Sequence, residues 1–252
     1  MTSASERFSE TAAGYAATMA PSLRPIAAEV VRRAKLQSAE RVLDIGTGTG
    51  IAAAAALGAG RRVTGIDAAP GMLAIARHDV SEASFVEMDF VRLRIAANAF
   101  DVVLAVHSLL FATDRVGALA EWRRVARPGG RLSLSVPGPT SSTPMAIYAE
   151  IYRRHGIDTS DRYPTLEAIA AWAREAGWSS VETDADPTTA IVLDDDAAFR
   201  LWRSIGGRSD AIADYTPAQH EALTDELLAA TPRDGDGRLR IPFGALYLTA
   251  QR

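Results

Sequence analysis

The sequence predicts an α/β fold: a mostly parallel sheet of seven strands, with helices on both faces and a helical lid. Three observations predict it. The stretch VLDIGTGTG at 42–50 reads as a buried strand running into a glycine turn, and IAAAAALGAG after it reads as a helix. From there to about 136, short β-branched runs alternate with helical patterns, the signature of βαβ units. After Pro137 the rhythm changes, and amphipathic helices at 141–155 and 196–230 are extra to the alternating core.

In chain order, positions 1–20 place Phe8 and Tyr15 seven residues apart, on one face if the segment is helical. They read as two anchors of a capping segment, with Tyr15 also a candidate to reach a pocket. PIAAEVVRRAKLQ at 25–37 reads as a helix with Pro25 in its first turn and a basic C-terminal end. The first strand and an Ala-rich helix at 51–58 follow. RVTGI at 62–66 is a second strand that ends in Asp67, and a helix opens at about 70. ASFVEMDF is a third strand ending in Asp89 and Phe90. FDVVLAV at 100–106 is a fourth, followed directly by His107. A helix fits 115–126. ARPGG is then a turn into a fifth strand, RLSLSV, at 131–136. GPTSSTP is a loop and MAIYAEIYRRHG a helix. TLEAIAAWAREAG is a helix stopped by Gly177, and WSSVETDA is a sixth strand. DDAAFRLWRSIGG and TPAQHEALTDELLAAT are helices, DGDG is a turn, and FGALYLTAQR is the last strand. The expected organisation is one domain over 1–252. Its core covers about 25–137, 164–192 and 241–252, with lid segments at about 1–20, 138–163 and 193–232.

Composition bounds the function. A net charge of −4 gives no basic field for nucleic acid. The absence of cysteine removes disulfides, thiolate metal sites and a cysteine nucleophile, and no metal site is expected. The polar start MTSASERFSE has no apolar signal core, and no apolar run reaches the ~20 residues of a membrane span. A cytoplasmic protein with no membrane partner is the expectation.

Two readings of the glycine turn compete. Glycine admits positive φ and close approach of a ligand, and a strand–turn–helix in a parallel sheet is a site for a nucleotide-like molecule. Gly48, Gly50 and Ala53 match G-x-G-x-x-A, the nicotinamide-dinucleotide fingerprint, with Asp67 at the second strand end to take ribose hydroxyls. That reading leaves Asp44 in a strand with no task. The other reading uses it. D-x-G-x-G-x-G, an acid after the second strand, an acid after the third and RPGGRL before the fifth resemble the class I S-adenosylmethionine-dependent methyltransferases. GIDAAPGML, the stretch DFVRLRI leading to FDVVLAV, and Phe8 with Tyr15 resemble most the small-molecule branch related to quinone-biosynthesis methyltransferases. The chain departs from that branch at Ala69, where serine is usual, at Arg94, where proline is usual, and at Thr47, where cysteine or glycine is common.

The resemblance implies a Rossmann-like fold and roles by position. Gly46 and Gly48 let the methionine and ribose parts lie on the turn, which Thr47 and Thr49 line. Asp44 holds the methionine ammonium, and Asp67, beside Ala68, takes the ribose hydroxyls. Met72 packs on the adenine, Asp89 accepts from its exocyclic amine, and the Phe90 N–H approaches a ring nitrogen. Ala105 and Val106 contact the methionine end through backbone. His107 is the best candidate for a general base, because it follows the fourth strand at the ligand-binding edge and titrates near neutral pH. Tyr15 is the second catalytic candidate. VHSLLF is not the Asn/Asp-Pro-Pro-aromatic loop of amino-methylating DNA enzymes, and carbon-5 pyrimidine methylation needs the missing cysteine. The expected activity is S-adenosylmethionine-dependent methylation of a small aromatic, quinone-like or natural-product acceptor under the lid. Met145, Tyr148, Tyr152, Trp172, Trp202 and Tyr215 are available to line that pocket. The alternatives are an NAD-dependent oxidoreductase and a cofactor-binding member of the same fold that does not methylate.

Overall fold

The computed structural model describes residues 4–58, 60–158, 163–205, 212 and 214–252, with the side chain of residue 145 excepted. Parts of two expected lid segments, 159–162, 206–211 and 213, lie outside the described residues, as do 1–3 of the first. The main sheet has seven strands. They are β1 (Arg41–Ile45), β2 (Arg62–Asp67), β3 (Ser84–Glu87), β4 (Phe100–Val106), β5 (Ala126–Pro137), β6 (Ser179–Asp186) and β9 (Ala245–Gln251). Their order is β3-β2-β1-β4-β5-β9-β6, and only β9 runs antiparallel to its neighbours. The strand order reverses between β1 and β4, so their C-terminal ends open a crevice there, where α/β sheets bind ligands.

Alternation along the central strands separates two cores. Val42, Val102 and Leu104 face α2 (Ala12–Arg33) and α3 (Ile51–Ala56). Leu43, Ile45, Val103 and Ala105 face the other layer, made of α5 (Arg115–Val125) and α7 (Leu166–Glu175). α4 (Pro70–Asp79) packs beside β3 and under α1 (Ala4–Glu10). At the opposite end of the sheet from the crevice, Asp101 accepts from Arg41 and Arg127, tying β1, β4 and β5.

Four expectations are corrected. The helix expected to start at Pro25 is the second half of α2, which carries Pro21 and Pro25 inside it. Each interior proline removes a helix hydrogen bond at ~3 kcal/mol, and burial of Leu23, Ile26, Ala27 and Val30 on the sheet offsets it. β3 stops at Glu87 and does not reach Asp89, because it pairs only with β2 and ends where that partner ends, at Asp67. ARPGG is part of β5: the pairing with β4 slips between Phe100–Ala126 and Val102–Arg131, leaving residues 127–130 as a bulge with Gly129 at φ +73°. Finally, the stretch after residue 190 holds a second sheet, in which β7 (Ala190–Leu193) pairs antiparallel with β8 (Leu239–Pro242).

Around that ribbon stand α6 (Pro144–Arg154), α8 (Asp196–Ile205) and α9 (Pro217–Ala229). Their buried faces, with Tyr148, Ile151, Phe199, Leu223 and Leu227, join the same core as α2. α8 lies along α2. Trp202 Nε1 donates to Met19 Sδ at 2.9 Å, and a Cβ on Gly14 would stand 3.0 Å from the tip of Ile205. Among the described residues no helix is long and apolar enough to cross a membrane, and no group of three His, Asp or Glu is placed to hold a metal.

Candidate functional site

The turn after β1 is built by three glycines with different tasks. Gly46, at φ +64°, lets the chain pass Ser108, whose Cβ would lie 2.4 Å from a Cβ at that position. Gly50, at φ +84°, caps α3 against Val80, Ala76 and Phe85. Gly48, at φ +55°, would carry a Cβ into open space, with nothing within 4 Å. The side chains around Gly48 face that space. Asp44, fully buried, accepts through Oδ2 from the Thr47 hydroxyl at 2.6 Å and from the Ala53 N–H at 3.0 Å. Its Oδ1 takes no hydrogen bond among the described residues. Burial pushes this carboxyl up to about 6, against the pull of Thr47 and Ala53, and the neighbouring Asp67 charge adds to the rise. Thr49 Oγ1 is shielded from water and has no partner among the described residues. A small cavity of about 20 Å³ runs between Tyr15, Leu23, Asp44, Gly48, Thr49 and Val106.

Asp67, at the end of β2, forms the next wall. Its Oδ2 accepts from the Gly48 N–H at 2.8 Å and its Oδ1 from the Ala69 N–H at 2.9 Å. Burial raises this carboxyl above the usual range, and the backbone N–H groups of Ala69, Gly48 and Ala68 oppose the rise. The amino-terminal segment closes over it. Met72 packs with Ala12 and Ala69, with Phe8, Tyr15 and Ile75 around them. Phe8 sits edge-on to both Tyr15 and Phe111, and Ser9 Oγ accepts from the Gly71 N–H at 3.2 Å. Burial, and then the Asp67 charge, drive the Tyr15 phenol above its ordinary range. Tyr15 therefore stays a neutral hydroxyl that can donate a hydrogen bond.

His107 stands at the C-terminal end of β4 with φ +58°, a left-handed conformation that a non-glycine residue adopts at a cost. Its Nδ1 meets Ser135 Oγ at 3.1 Å, and its ring lies against Phe243, with centroids 5.4 Å apart. Its Nε2 is shielded from water and has no partner among the described residues. Burial lowers its pKa to about 4, so the ring is neutral at pH 7, and a hydrogen bond involving the Ser135 backbone only partly opposes this. A neutral ring with so low a pKa is a hydrogen-bond partner and a weak base, which corrects the expectation that it titrates near neutral pH: burial disfavours the charged imidazolium.

Asp44, Gly46, Thr47, Gly48, Thr49, Asp67, Ala68, Met72 and Tyr15 thus come together, and Val106 lines the same cavity. Ala105 is buried in the sheet between Ile45 and Leu134. Asp89 and Phe90 lie further out. Asp89 is exposed and accepts from the Val91 N–H, while the Phe90 ring leans on Trp122, whose Nε1 donates to the Phe90 carbonyl. Ile51, Ala52, Leu23, Ser135 and Phe243 belong to the site and were not singled out in the sequence. Ser135 was within reach of the pattern, because alternation in RLSLSV puts it on the Ser133 side of β5. A larger cavity of about 430 Å³, between Val91, Asp114, Gly117, Glu121 and Arg124, lies beside α5 and contains none of these residues.

Comparisons with known proteins agree with the second reading of the turn. Residues 43–134 match the model of a family described as a methyltransferase domain. The chain is 36% identical over 121 residues to aklanonic acid methyltransferase of Streptomyces sp. (strain C5), covering 45% of this chain and 55% of that protein. It is 32% identical over 164 residues to demethylmenaquinone methyltransferase of Thermus thermophilus, covering 56% of this chain and 74% of that protein. Its fold matches phosphoethanolamine N-methyltransferase 2 of Haemonchus contortus, solved with S-adenosylhomocysteine, at a TM-score of 0.59 and 18% identity over 90% of this chain and 52% of that one. The Oδ1 of Asp44 and the Thr49 hydroxyl, both without a partner among the described residues, and the open face of Gly48 fit a cationic, hydroxyl-bearing cofactor on this turn. The nicotinamide reading, which gives Asp44 no task, is set aside. The chain belongs to the class I S-adenosylmethionine-dependent methyltransferases, in their small-molecule branch.

Proposed function

We propose that this enzyme methylates a small, largely apolar acceptor of quinone-like or polyketide-like character, bound between the glycine turn and the lid helices. One observation carries the reading. The apolar cluster that includes Leu23, Tyr15 and Val106 at the cofactor cavity runs without a break into Tyr148, Tyr152, Phe199, Trp202 and Phe243. An acceptor placed there would meet aromatic faces and few polar groups, as small-molecule pockets do. The names of the similar aklanonic acid and demethylmenaquinone methyltransferases support the same class.

In this reading Asp44 pairs with the methionine ammonium and Thr49 donates to the methionine end. Asp67 takes the ribose hydroxyls, and Met72 and Phe8 flank the adenine. Asp89 and the Phe90 N–H serve the outer edge of that ring, and Ala105 and Val106 border the methyl group. The bound sulfonium supplies the reactive methyl, which leaves by in-line displacement. The protein's part is alignment, which can be worth roughly 7–11 kcal/mol. His107, fixed by Ser135 and Phe243, offers Nε2 to a hydroxyl of the acceptor and aims its oxygen. Tyr15 closes the site from water.

Labelled S-adenosylmethionine incubated with quinols, phenols and amines, followed by mass spectrometry of the products, tests the proposal. Transfer to a phenol or quinol is expected. Transfer to amines alone, or binding of S-adenosylhomocysteine with no transfer to any acceptor, would overturn it in favour of an amine substrate or a non-methylating role.

A further inference from the structure

Ser135, on β5, is fully buried, and a buried hydroxyl needs an acceptor for its proton. Among the described residues its Oγ meets one group, His107 Nδ1, at 3.1 Å. The His107 main chain is tied to the same residue, since its N–H donates to the Ser135 carbonyl at 3.0 Å. A neutral imidazole carries one ring proton, on either nitrogen. With the proton on Nδ1, toward the Ser135 oxygens, the Ser135 O–H lacks an acceptor and Nε2 lacks a donor. With the proton on Nε2, the hydroxyl donates to Nδ1, and only the Nε2–H is left without a partner among the described residues. Each unmet buried group costs free energy, so the second placement is favoured.

The contacts of His107 put that N–H between the glycine turn and the apolar cluster. Its two chain neighbours both touch the turn: Val106 lines the cofactor cavity, and Ser108 packs on Gly46 and donates to the Ile45 carbonyl at 2.8 Å. The ring itself lies edge-on against Phe243, which shares with Val106 the apolar cluster assigned to the acceptor. Phe243 is fixed in turn by Thr189, whose carbonyl accepts its N–H at 3.0 Å and whose hydroxyl donates to its carbonyl at 2.7 Å. The left-handed backbone of His107, at φ +58°, is thus kept in place from both sides of the ring.

We propose that Ser135 is a positioning residue that keeps the His107 proton on Nε2, and that this N–H holds an acceptor oxygen that arrives ionised. The acceptor is then an acidic enol or phenol, such as a hydroxyquinone, and not an alcohol or an amine, because an Nε2 that already bears its proton cannot take one from either. In the transfer step the oxygen's electron pair forms the bond to the methyl carbon as the carbon–sulfur pair passes to sulfur. Anion and sulfonium are discharged together, and no proton moves. This inference rests on the small-molecule methyltransferase reading and adds to it the charge state of the acceptor.

Nitrogen NMR of the free protein, isotope-labelled at histidine, reads the ring proton at pH 7, with His107 assigned by its loss in His107→Gln. The wild type is expected to show Nε2 protonated and Nδ1 bare. Ser135→Ala should move the proton toward Nδ1, and Ser135→Thr, which restores a hydroxyl, should return it to Nε2. Unmoved signals from His78, His155 and His220 show that the fold is kept. If Ser135→Ala does not fold, Ser135→Cys, a weak donor of similar size, is read in the same way. Calorimetric titration of the protein saturated with S-adenosylhomocysteine then compares 2-hydroxy-1,4-naphthoquinone, ionised at pH 7, with the neutral 2-amino-1,4-naphthoquinone. The wild type is expected to bind the ionised probe about tenfold or more tighter, because a hydrogen bond to a charged oxygen is the stronger, and Ser135→Ala to lose most of that preference. A proton on Nδ1 in the wild type, an unchanged ring in Ser135→Ala, or equal or no binding of the two probes overturns the inference. Failure of the wild type to bind S-adenosylhomocysteine would instead strike at the methyltransferase reading itself, while the ring proton, measured without cofactor, still decides the role of Ser135.

Discussion

Replacing Asp44 with asparagine separates the cost of a buried charge from its use. In the free protein the Asp44 carboxyl is lifted from 3.8 to about 6 by burial, with no cation to offset it. About two units at 1.36 kcal/mol each is up to about 3 kcal/mol of folding free energy that the ionised form gives up above pH 6. An asparagine carbonyl can keep both bonds that Oδ2 accepts, from Thr47 and Ala53. Its amide nitrogen then takes the place of Oδ1, and an unsatisfied donor there costs about 1–3 kcal/mol. Asp44→Asn should therefore leave the melting temperature of the free protein unchanged or raise it by a few degrees, at ~2–4 °C per kcal/mol for a chain of this size. Cofactor binding should respond in the opposite sense. The variant turns a donor toward the methionine ammonium and loses a charged bond worth about 1.5–3 kcal/mol, so S-adenosylhomocysteine should bind at least ten- to a hundredfold more weakly. The wild-type protein should lose affinity as pH falls through 6, because the carboxyl takes up a proton in the free state, and the variant should show no such fall. The free wild-type protein should also gain stability from Asp44 over the window from pH 6 down to about 4, where the folded form holds the proton and the unfolded form does not. Thermal melts of the free proteins and calorimetric titrations at pH 5, 6 and 8 measure all of this. A variant that melts well below the parent and binds as tightly would refute the reasoning and make Asp44 a structural anchor of the turn.

Three further outcomes follow from the geometry. Asp67→Asn, which keeps an acceptor for the backbone N–H groups of Gly48 or Ala69, should weaken S-adenosylhomocysteine binding about tenfold or more and shift the melting temperature little; parent-like affinity by titration would make Asp67 only a turn-stabilising acid. His107→Ala should cut turnover by about 10²-fold, the cost of a misaimed acceptor, with little change in cofactor affinity. Because burial holds His107 near 4, the wild-type pH–rate profile should show no limb near 6.5 that the variant removes, and finding such a limb would mean that the imidazole titrates in the site. Hydrogen exchange with and without S-adenosylhomocysteine should show added protection in 141–155 and 196–205, as well as at the turn. Protection confined to 44–50 and 85–107 would make the lid helices a passive flank.

The parts of the site that were legible in the sequence are those whose geometry is local. Asp44, Thr47, Gly48 and Ala53 lie within ten residues, and the hydrogen bonds among them need no distant partner. The strand order could be anticipated from the alternation of elements, since short crossovers leave few choices. The less legible features depend on partners far along the chain. β7 and β8 pair residues 190–193 with 239–242, and neither AIVL nor LRIP carries a periodicity long enough to mark a ribbon. The unbroken course of α2 through two prolines is decided by what its buried face packs on, which overrides the local signal. His107 was visible as a residue, but its low pKa comes from burial, to which Phe243, 136 positions away in the chain, contributes a covering ring.

α2 spans 22 residues, about 33 Å of helix at 1.5 Å per residue. Near its start it carries Tyr15 into the cofactor cavity, at Gly14 and Met19 it meets α8, and at Val30 its carbonyl accepts from Ser133 in the sheet. A single rod therefore touches the cavity at the glycine turn, the lid helix α8 and the sheet. Tyr15 and the two α8 contacts fall within residues 14–19, so a displacement of α8 that moves this stretch of α2 moves the wall of the cavity with it. Linkage is reciprocal: whatever factor the cofactor contributes to acceptor affinity, the acceptor must return to cofactor affinity.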